Sequence, residues 1–139
     1  MSVEWITDAQ NEIYTKVKTR ASKKLKTEYK NLFFTMDEEA QIETHFPTVF
    51  IRFLPYGEIG TDLDGTSVNG VICGCDIEVT SSKAQGREVA IKVANEVIEQ
   101  FKRLRFRIML SPTPINTGNE TKRVTARVQR NLGSGDIIE

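Results

Sequence analysis

The stretch Val71-Ile72-Cys73-Gly74-Cys75-Asp76-Ile77-Glu78-Val79 decides the fold. In an extended chain successive side chains point to opposite sides. Val71, Cys73, Cys75, Ile77 and Val79 therefore share one face, and Gly74, Asp76 and Glu78 share the other, with Ile72 alone breaking the polar side. Such alternation predicts a strand with one face in the core and one face turned outward.

Downstream, the period changes from two to about four. Ser82 and Gln85 have the spacing of a capping box, and Ala90, Ala94, Val97, Ile98, Phe101 and Leu104 mark the buried stripe of a helix ending near Arg103. Phe106, Ile108 and Leu110 then alternate with Arg105, Arg107 and Met109, which predicts a strand stopped by Pro112 and Pro114. A polar loop through Asn116, Gly118 and Asn119 leads to a last strand with Val124, Ala126 and Val128 facing inward, and the two strands form a hairpin.

Upstream, Asn69-Gly70 and Asp64-Gly65 are turn signals. They close residues 56–69, which hold Gly57, Gly60 and Gly65 with the acidic Glu58, Asp62 and Asp64, and which read as a long connection projecting from the domain. Before it, residues 48–54 form a strand opened by Pro47 and ended by Pro55, with Val49, Ile51 and Phe53 on one face and Phe50, Arg52 and Leu54 on the other. Residues 32–35 read as a short strand and residues 37–44 as a polar loop. At the start, Trp5, Ala9, Ile13, Val17 and Ala21 recur every four residues beside Ile6 and Tyr14, the pattern of an amphipathic helix. Thr7 and Gln10 suggest a capping box that leaves Trp5 and Ile6 ahead of the helix. Asp8 and Glu12 near its start and Lys23, Lys24 and Lys26 near its end agree with the helix dipole.

With 139 residues, 39% hydrophobic and 27% charged, the chain fits one ordinary globular core. The expectation is a single α+β domain over residues 1–139, with an antiparallel or mixed sheet of about four to five strands and two helices packed on one face. Residues 131–139 read as a flexible tail, in which Gly133-Ser134-Gly135 is a hinge for the apolar tip Asp136-Ile137-Ile138. That tip is either a frayed terminus or an arm for a neighbouring subunit.

Nineteen basic residues balance nineteen acidic ones, so no global field draws the molecule to nucleic acid or an anionic membrane. The basic clusters Lys16, Lys18, Arg20, Lys23, Lys24, Lys26 and Lys102, Arg103, Arg105, Arg107 lack interleaved aromatic residues and read as solvated helix faces. No apolar run reaches membrane-spanning length and no signal-peptide pattern opens the chain, so a soluble protein is expected. Cys73 and Cys75 are too few for a disulfide framework and, with His45 remote in sequence, read as reduced core residues. Chemistry is sparse. His45 has no nucleophile motif beside it, Glu58, Asp62 and Asp64 lack calcium-loop spacing and its closing glutamate, and the glycines form no phosphate-binding fingerprint. No catalytic residue, cofactor or metal is expected.

Several segments carry a resemblance: Trp5-Ile6-Thr7-Asp8 with Asn11-Glu12-Ile13-Tyr14; Phe46-Pro47-Thr48-Val49-Phe50-Ile51; Glu58-Ile59-Gly60 with Asp62-Leu63 and Gly65-Thr66-Ser67; Ile77-Glu78-Val79-Thr80; and Gly133-Ser134-Gly135-Asp136. In order and texture the chain resembles the tail terminators, or tail completion and minor capsid proteins, of phages infecting Gram-positive bacteria. The resemblance covers nearly the whole chain and contains no catalytic signature. It implies a small α+β fold in a hexameric ring that stops growth of the tail tube at its head-proximal end and joins it to the head connector. The ring would be assembled in the host bacterial cytoplasm and carried in the virion neck, with DNA passing through it without specific binding. The residues expected at subunit and tube contacts are Phe50, Leu54, Tyr56, Glu58, Ile59, Asp62, Leu63, Asp64, Ile72, Asp136, Ile137 and Ile138. The alternatives are a head-completion or connector subunit of the same neck, a small metal-dependent hydrolase or nuclease using Asp62, Asp64 and Glu78, and a nucleic-acid-binding module using the basic clusters.

Overall fold

A computed structural model describes residues 4–36, 46–61, 68–115 and 121–139. The elements are α1 (Glu4–Leu25), β1 (Phe33–Thr35), β2 (Thr48–Phe53), β3 (Gly57–Thr61), β4 (Val68–Ser82), α2 (Gly86–Arg103), β5 (Arg107–Ile115) and β6 (Thr121–Gly133). They form one α+β domain around a six-stranded mixed sheet of order β1-β2-β4-β6-β5, with β3 off this path and paired to β4. β1 runs parallel to β2, and the other pairings are antiparallel.

The deciding stretch lies in β4, which is longer than its alternation suggested. Val71, Cys75, Ile77 and Val79 are 0% exposed and Cys73 is 1% exposed. Their partners on β2 and β6 continue the same face, as Ile77 pairs with Ile51 and with Ala126. Both helices lay their apolar stripes on that face: Ile6, Ile13, Val17, Ala21 and Leu25 of α1 and Ala90, Val93, Ala94, Val97, Ile98 and Phe101 of α2 join it in one core. α1 starts at Glu4, ahead of the Thr7 box, so buried Ile6 belongs to the helix. A buried side chain just ahead of the box outweighs a local cap, since most helix stability in a folded protein comes from packing of the apolar face.

The end of α2 shows how the chain turns back into the sheet. The Arg105 N–H donates to the Lys102 carbonyl (2.9 Å) and the Phe106 N–H to the Phe101 carbonyl (3.1 Å), the paired bonds of a Schellman stop. The Phe106 ring then meets the Phe101 ring edge-on with centroids 5.0 Å apart, the apolar contact that accompanies this motif. At the other end Ser82 and Gln85 exchange the two bonds of a capping box (3.1 and 3.2 Å), over the turn that precedes the first helical residue, Gly86.

Two strand expectations are corrected. β3 occupies part of the presumed loop and pairs with β4, on the β4 edge that β2 already uses, because β6 holds the opposite edge. β2 and β3 thus act as one long strand interrupted around Pro55, and the glycines there serve an irregular hairpin. β5 is not stopped by Pro112 and Pro114 but runs through both to Ile115. It is the last strand of the sheet, where a missing N–H costs no ladder bond. Two register shifts interrupt its alternation, so that Ile108 stands opposite Val128 and Leu110 opposite Arg127, and on this outermost strand Ile108, Met109 and Leu110 are 41%, 50% and 43% exposed.

Cys73 and Cys75 are free and buried. Burial pushes the Cys75 thiol well above its usual range, and its hydrogen bond to Cys73 lowers the latter. Reactivity needs both thiolate and access. Native protein is expected to react with an aromatic disulfide reagent far more slowly than unfolded protein, which should release both thiols at once. Two fast-reacting thiols under native conditions would contradict this packing.

Candidate functional site: an open sheet face and two exposed edges

The face of the sheet opposite the helices carries an ion-pair ladder. Arg52, Asp76 and Arg127 lie side by side on β2, β4 and β6. Arg52 donates to Asp76 Oδ2 at 2.8 Å, and Arg127 Nε to Asp76 Oδ1 at 2.6 Å. Burial of Asp76 pushes its carboxyl up, but the hydrogen bonds from Arg127 and Arg52 outweigh this and hold it below the ordinary value. A depressed carboxylate stabilises the fold fully above its unfolded pKa and loses that contribution as pH falls through the folded one. Asp76→Asn should therefore cost about 1 kcal/mol at neutral pH, the arginines being half-exposed. The gap from wild type should close in acid, as urea titrations at neutral and acidic pH would show; a gap independent of pH would contradict the ladder.

Around the ladder lie the apolar residues expected on this face. Phe50 is buried at 4% exposure, while Leu54 and Ile72 are half-buried. Leu54 folds over Gly74, where an added Cβ would come within 3.3 Å of its Cδ1, so the absence of a side chain at Gly74 is what seats Leu54. Tyr56 (37%) and Glu58 are exposed, at the β2–β3 junction and on β3. Ile59 belongs to β3; Asp62, Leu63 and Asp64 lie outside the described residues, as do the loop at 37–44, His45 and the Asn116–Asn119 segment.

The C-terminal tip folds onto its own subunit. Ile138 is 5% exposed and belongs to the core; the Ile138 carbonyl accepts from Lys16 and the Glu139 carbonyl from Arg20, both on α1. Asp136 accepts from the Gly133 N–H (2.7 Å) and from Arg130 (3.0 Å), closing the turn between the glycines. Ile137 is 79% exposed. The tip thus offers Ile137 as a surface group while Ile138 anchors it.

The basic clusters divide. In the first, Lys16 also pairs with Glu12, Lys18 lies 5.9 Å from the centre of the Tyr14 ring, and Lys24 pairs with Glu96. In the second, Lys102 pairs with Glu99, but Arg103, Arg105 and Arg107 make no ion pair among the described residues. These arginines adjoin the exposed apolar residues of β5. The register shifts of β5 leave no signature in alternation.

A groove of about 360 Å³ lies between the end of α1 and α2, lined by residues including Lys24, Glu28, Lys92 and Glu96. Its charges are spent on each other: the Lys92 ammonium holds Glu28 below its usual range at 2.6 Å and is itself raised. Among the described residues no three metal-ligating side chains converge, and no helix is long and apolar enough to cross a membrane. The chain matches no protein-family model and no curated protein.

Proposed function

We propose that this chain is a structural subunit of a tailed-phage virion, a tail terminator that forms a ring on the head-proximal end of the tail tube. The observation that supports the reading is the exposure of three successive large apolar residues, Ile108, Met109 and Leu110, on the outermost strand β5. Large apolar side chains left exposed along a sheet edge are surface that a protein partner can cover. A closed ring requires two different, complementary surfaces on each subunit, and the sheet has two unlike edges plus a face that no described helix covers.

Termination is then a binding event. The ring covers the surfaces through which the last tube ring would recruit another, and presents a different face to the head connector. No covalent step is needed. The acidic Glu58, Asp62 and Asp64, if turned to the lumen, repel DNA and keep it from adhering in transit. The ring assembles in the host cytoplasm and travels in the virion neck. Adding gold-labelled protein to polymerising tail-tube protein tests this: growth should halt with label at one tube end. Label along the tubes, or binding to filled heads with tube growth unaffected, would overturn the reading.

A further inference from the structure

We propose that the β5–β6 half of the open sheet face is a docking surface for an acidic protein segment that presents apolar side chains between its carboxylates. The inference goes beyond the tail reading and does not depend on it.

The molecule is neutral as a whole, yet its charge is unevenly spread. Residues 100–135 carry eight of the nineteen basic residues and, in Glu120, one acidic residue. Within that stretch β5 and β6 hold five basic side chains and no acidic one. Register sorts the five by face. Lys122 and Arg130, opposite Ser81 and Cys73, fall on the helix-covered face, and Arg130 is engaged by Asp136 and the Leu104 carbonyl. Arg123 and Arg127, opposite Thr80 and Asp76, fall on the open face, and Arg107 joins them opposite Gln129, which faces Gly74. The apolar residues of this face are set among these arginines. Leu110 stands opposite Arg127 and Ile115 opposite Arg123, with Thr113 opposite Thr125 between them. Leu110 and Ile115 are 43% and 38% exposed, and Arg107 and Arg123 make no ion pair among the described residues.

An arginine beside each exposed apolar side chain decides between the two polyanions that such charge could meet. A phosphate backbone is held by polar, strongly basic surface and makes no use of Leu110 or Ile115, and Glu78, on the adjoining β4 opposite Thr125, opposes a continuous phosphate chain. An acidic protein segment uses both kinds of group. Its carboxylates take a planar guanidinium in two parallel bonds, and its apolar side chains cover Leu110 and Ile115. Two of the arginines are already steadied. Asp76 holds Arg127 by bonds of 2.6 and 3.3 Å, and Arg123 Nε donates to Thr80 Oγ1 at 3.3 Å, so less freedom is lost when a partner arrives. Arg123 and Arg127 stand about 13 Å apart along β6, the reach of four residues of an extended chain. The partner is thus a segment whose carboxylates recur every fourth residue, with an apolar side chain between them on the same face.

The test follows the fluorescence anisotropy of short labelled peptides as the full chain is added. A peptide repeating Glu-Ser-Leu-Ser, which sets Glu and Leu on one face of an extended chain, should bind. Repeats of Glu-Ser-Ser-Ser and of Lys-Ser-Leu-Ser should bind at least about tenfold more weakly. R107E/R123E should weaken binding of the first peptide by about a hundredfold and L110S/I115S by about tenfold. R107Q/R123Q, which adds no charge to strain the fold, should lose about tenfold. K23E/K30E makes the same change of net charge at exposed positions on α1 and shortly after it, and should leave binding unchanged. The surface is overturned if the first peptide fails to bind, if R107E/R123E and R107Q/R123Q bind as wild type does, or if K23E/K30E weakens binding equally. A DNA duplex of random sequence that binds more tightly than the peptide through the same arginines would also overturn it, in favour of a phosphate-binding face. Tubes capped by a chain that binds no peptide would sink this surface and spare the tail reading; peptide binding by a chain that caps no tubes would do the reverse.

Discussion

Phe101→Ala is expected to destabilise the domain by about 4 kcal/mol, within the range for truncating a fully buried aromatic ring. Phe101 is 0% exposed and heads the fully buried side chains by volume. Its ring meets Phe106 edge-on and stands where α2 ends, so alanine removes both core volume and the contact that fixes the turn into β5. The loss joins the transfer free energy of the ring to a cavity that only partly collapses. A domain of this kind holds a reserve of roughly 5–15 kcal/mol, so the variant should still fold but unfold at much lower urea. Phe101→Leu, which refills most of the space, should recover more than half of the loss. A midpoint for Phe101→Ala within error of wild type would mean that α2 does not pack on the sheet as described.

Ile77→Asp should abolish cooperative folding altogether, while Glu78→Val one residue away should change stability by less than about 1 kcal/mol. Ile77 is 0% exposed between Ile51 and Ala126, themselves fully buried. An unpaired carboxylate there loses its hydration with no partner, a cost of several kcal/mol added to the lost packing. Glu78 lies on the other face between Phe50 and Thr125, where it keeps access to water. Circular dichroism with denaturant titration of both variants separates the faces of β4. Tolerance at 77 with collapse at 78 would place the strand one residue out of register and turn every side chain over.

The elements that were legible in the sequence are those whose periodicity reports burial directly. β4, α2 and β6 bury the residues that their alternation or helical spacing marked, from Val71 to Val128. α1 was legible in its stripe but not in its start, because the Thr7 box is a local signal and the burial of Ile6 is a tertiary one. β3 was missed because Gly57, Gly60 and their turn neighbours carry loop chemistry whether or not a partner strand accepts them. At β5 a general expectation about proline met its exception, since an outermost strand has a side on which no N–H is needed.

The residues expected at contacts divide for the same reason. Leu54 and Ile72 fall on the face that the alternation turned away from the core, and they are half-buried there. Ile138, expected in a flexible tip, lies in the core because what holds it is on α1, more than a hundred residues away, where Lys16 donates to its carbonyl. Ile108, Met109 and Leu110 are exposed on the outermost strand, and neither that position nor the two register shifts against β6 is encoded by spacing within β5. Local pattern shows which face is apolar; only the pairing shows which edge is left bare.

The most direct test of the central proposal, that this chain ends tail growth by closing a ring over the tube, is the tube-length distribution in negative-stain images of particles assembled with and without it. The account predicts a single length with heads attached when the chain is present, and broad, overlong, headless tubes when it is missing. Tails of normal length firmly joined to heads in its absence would contradict it.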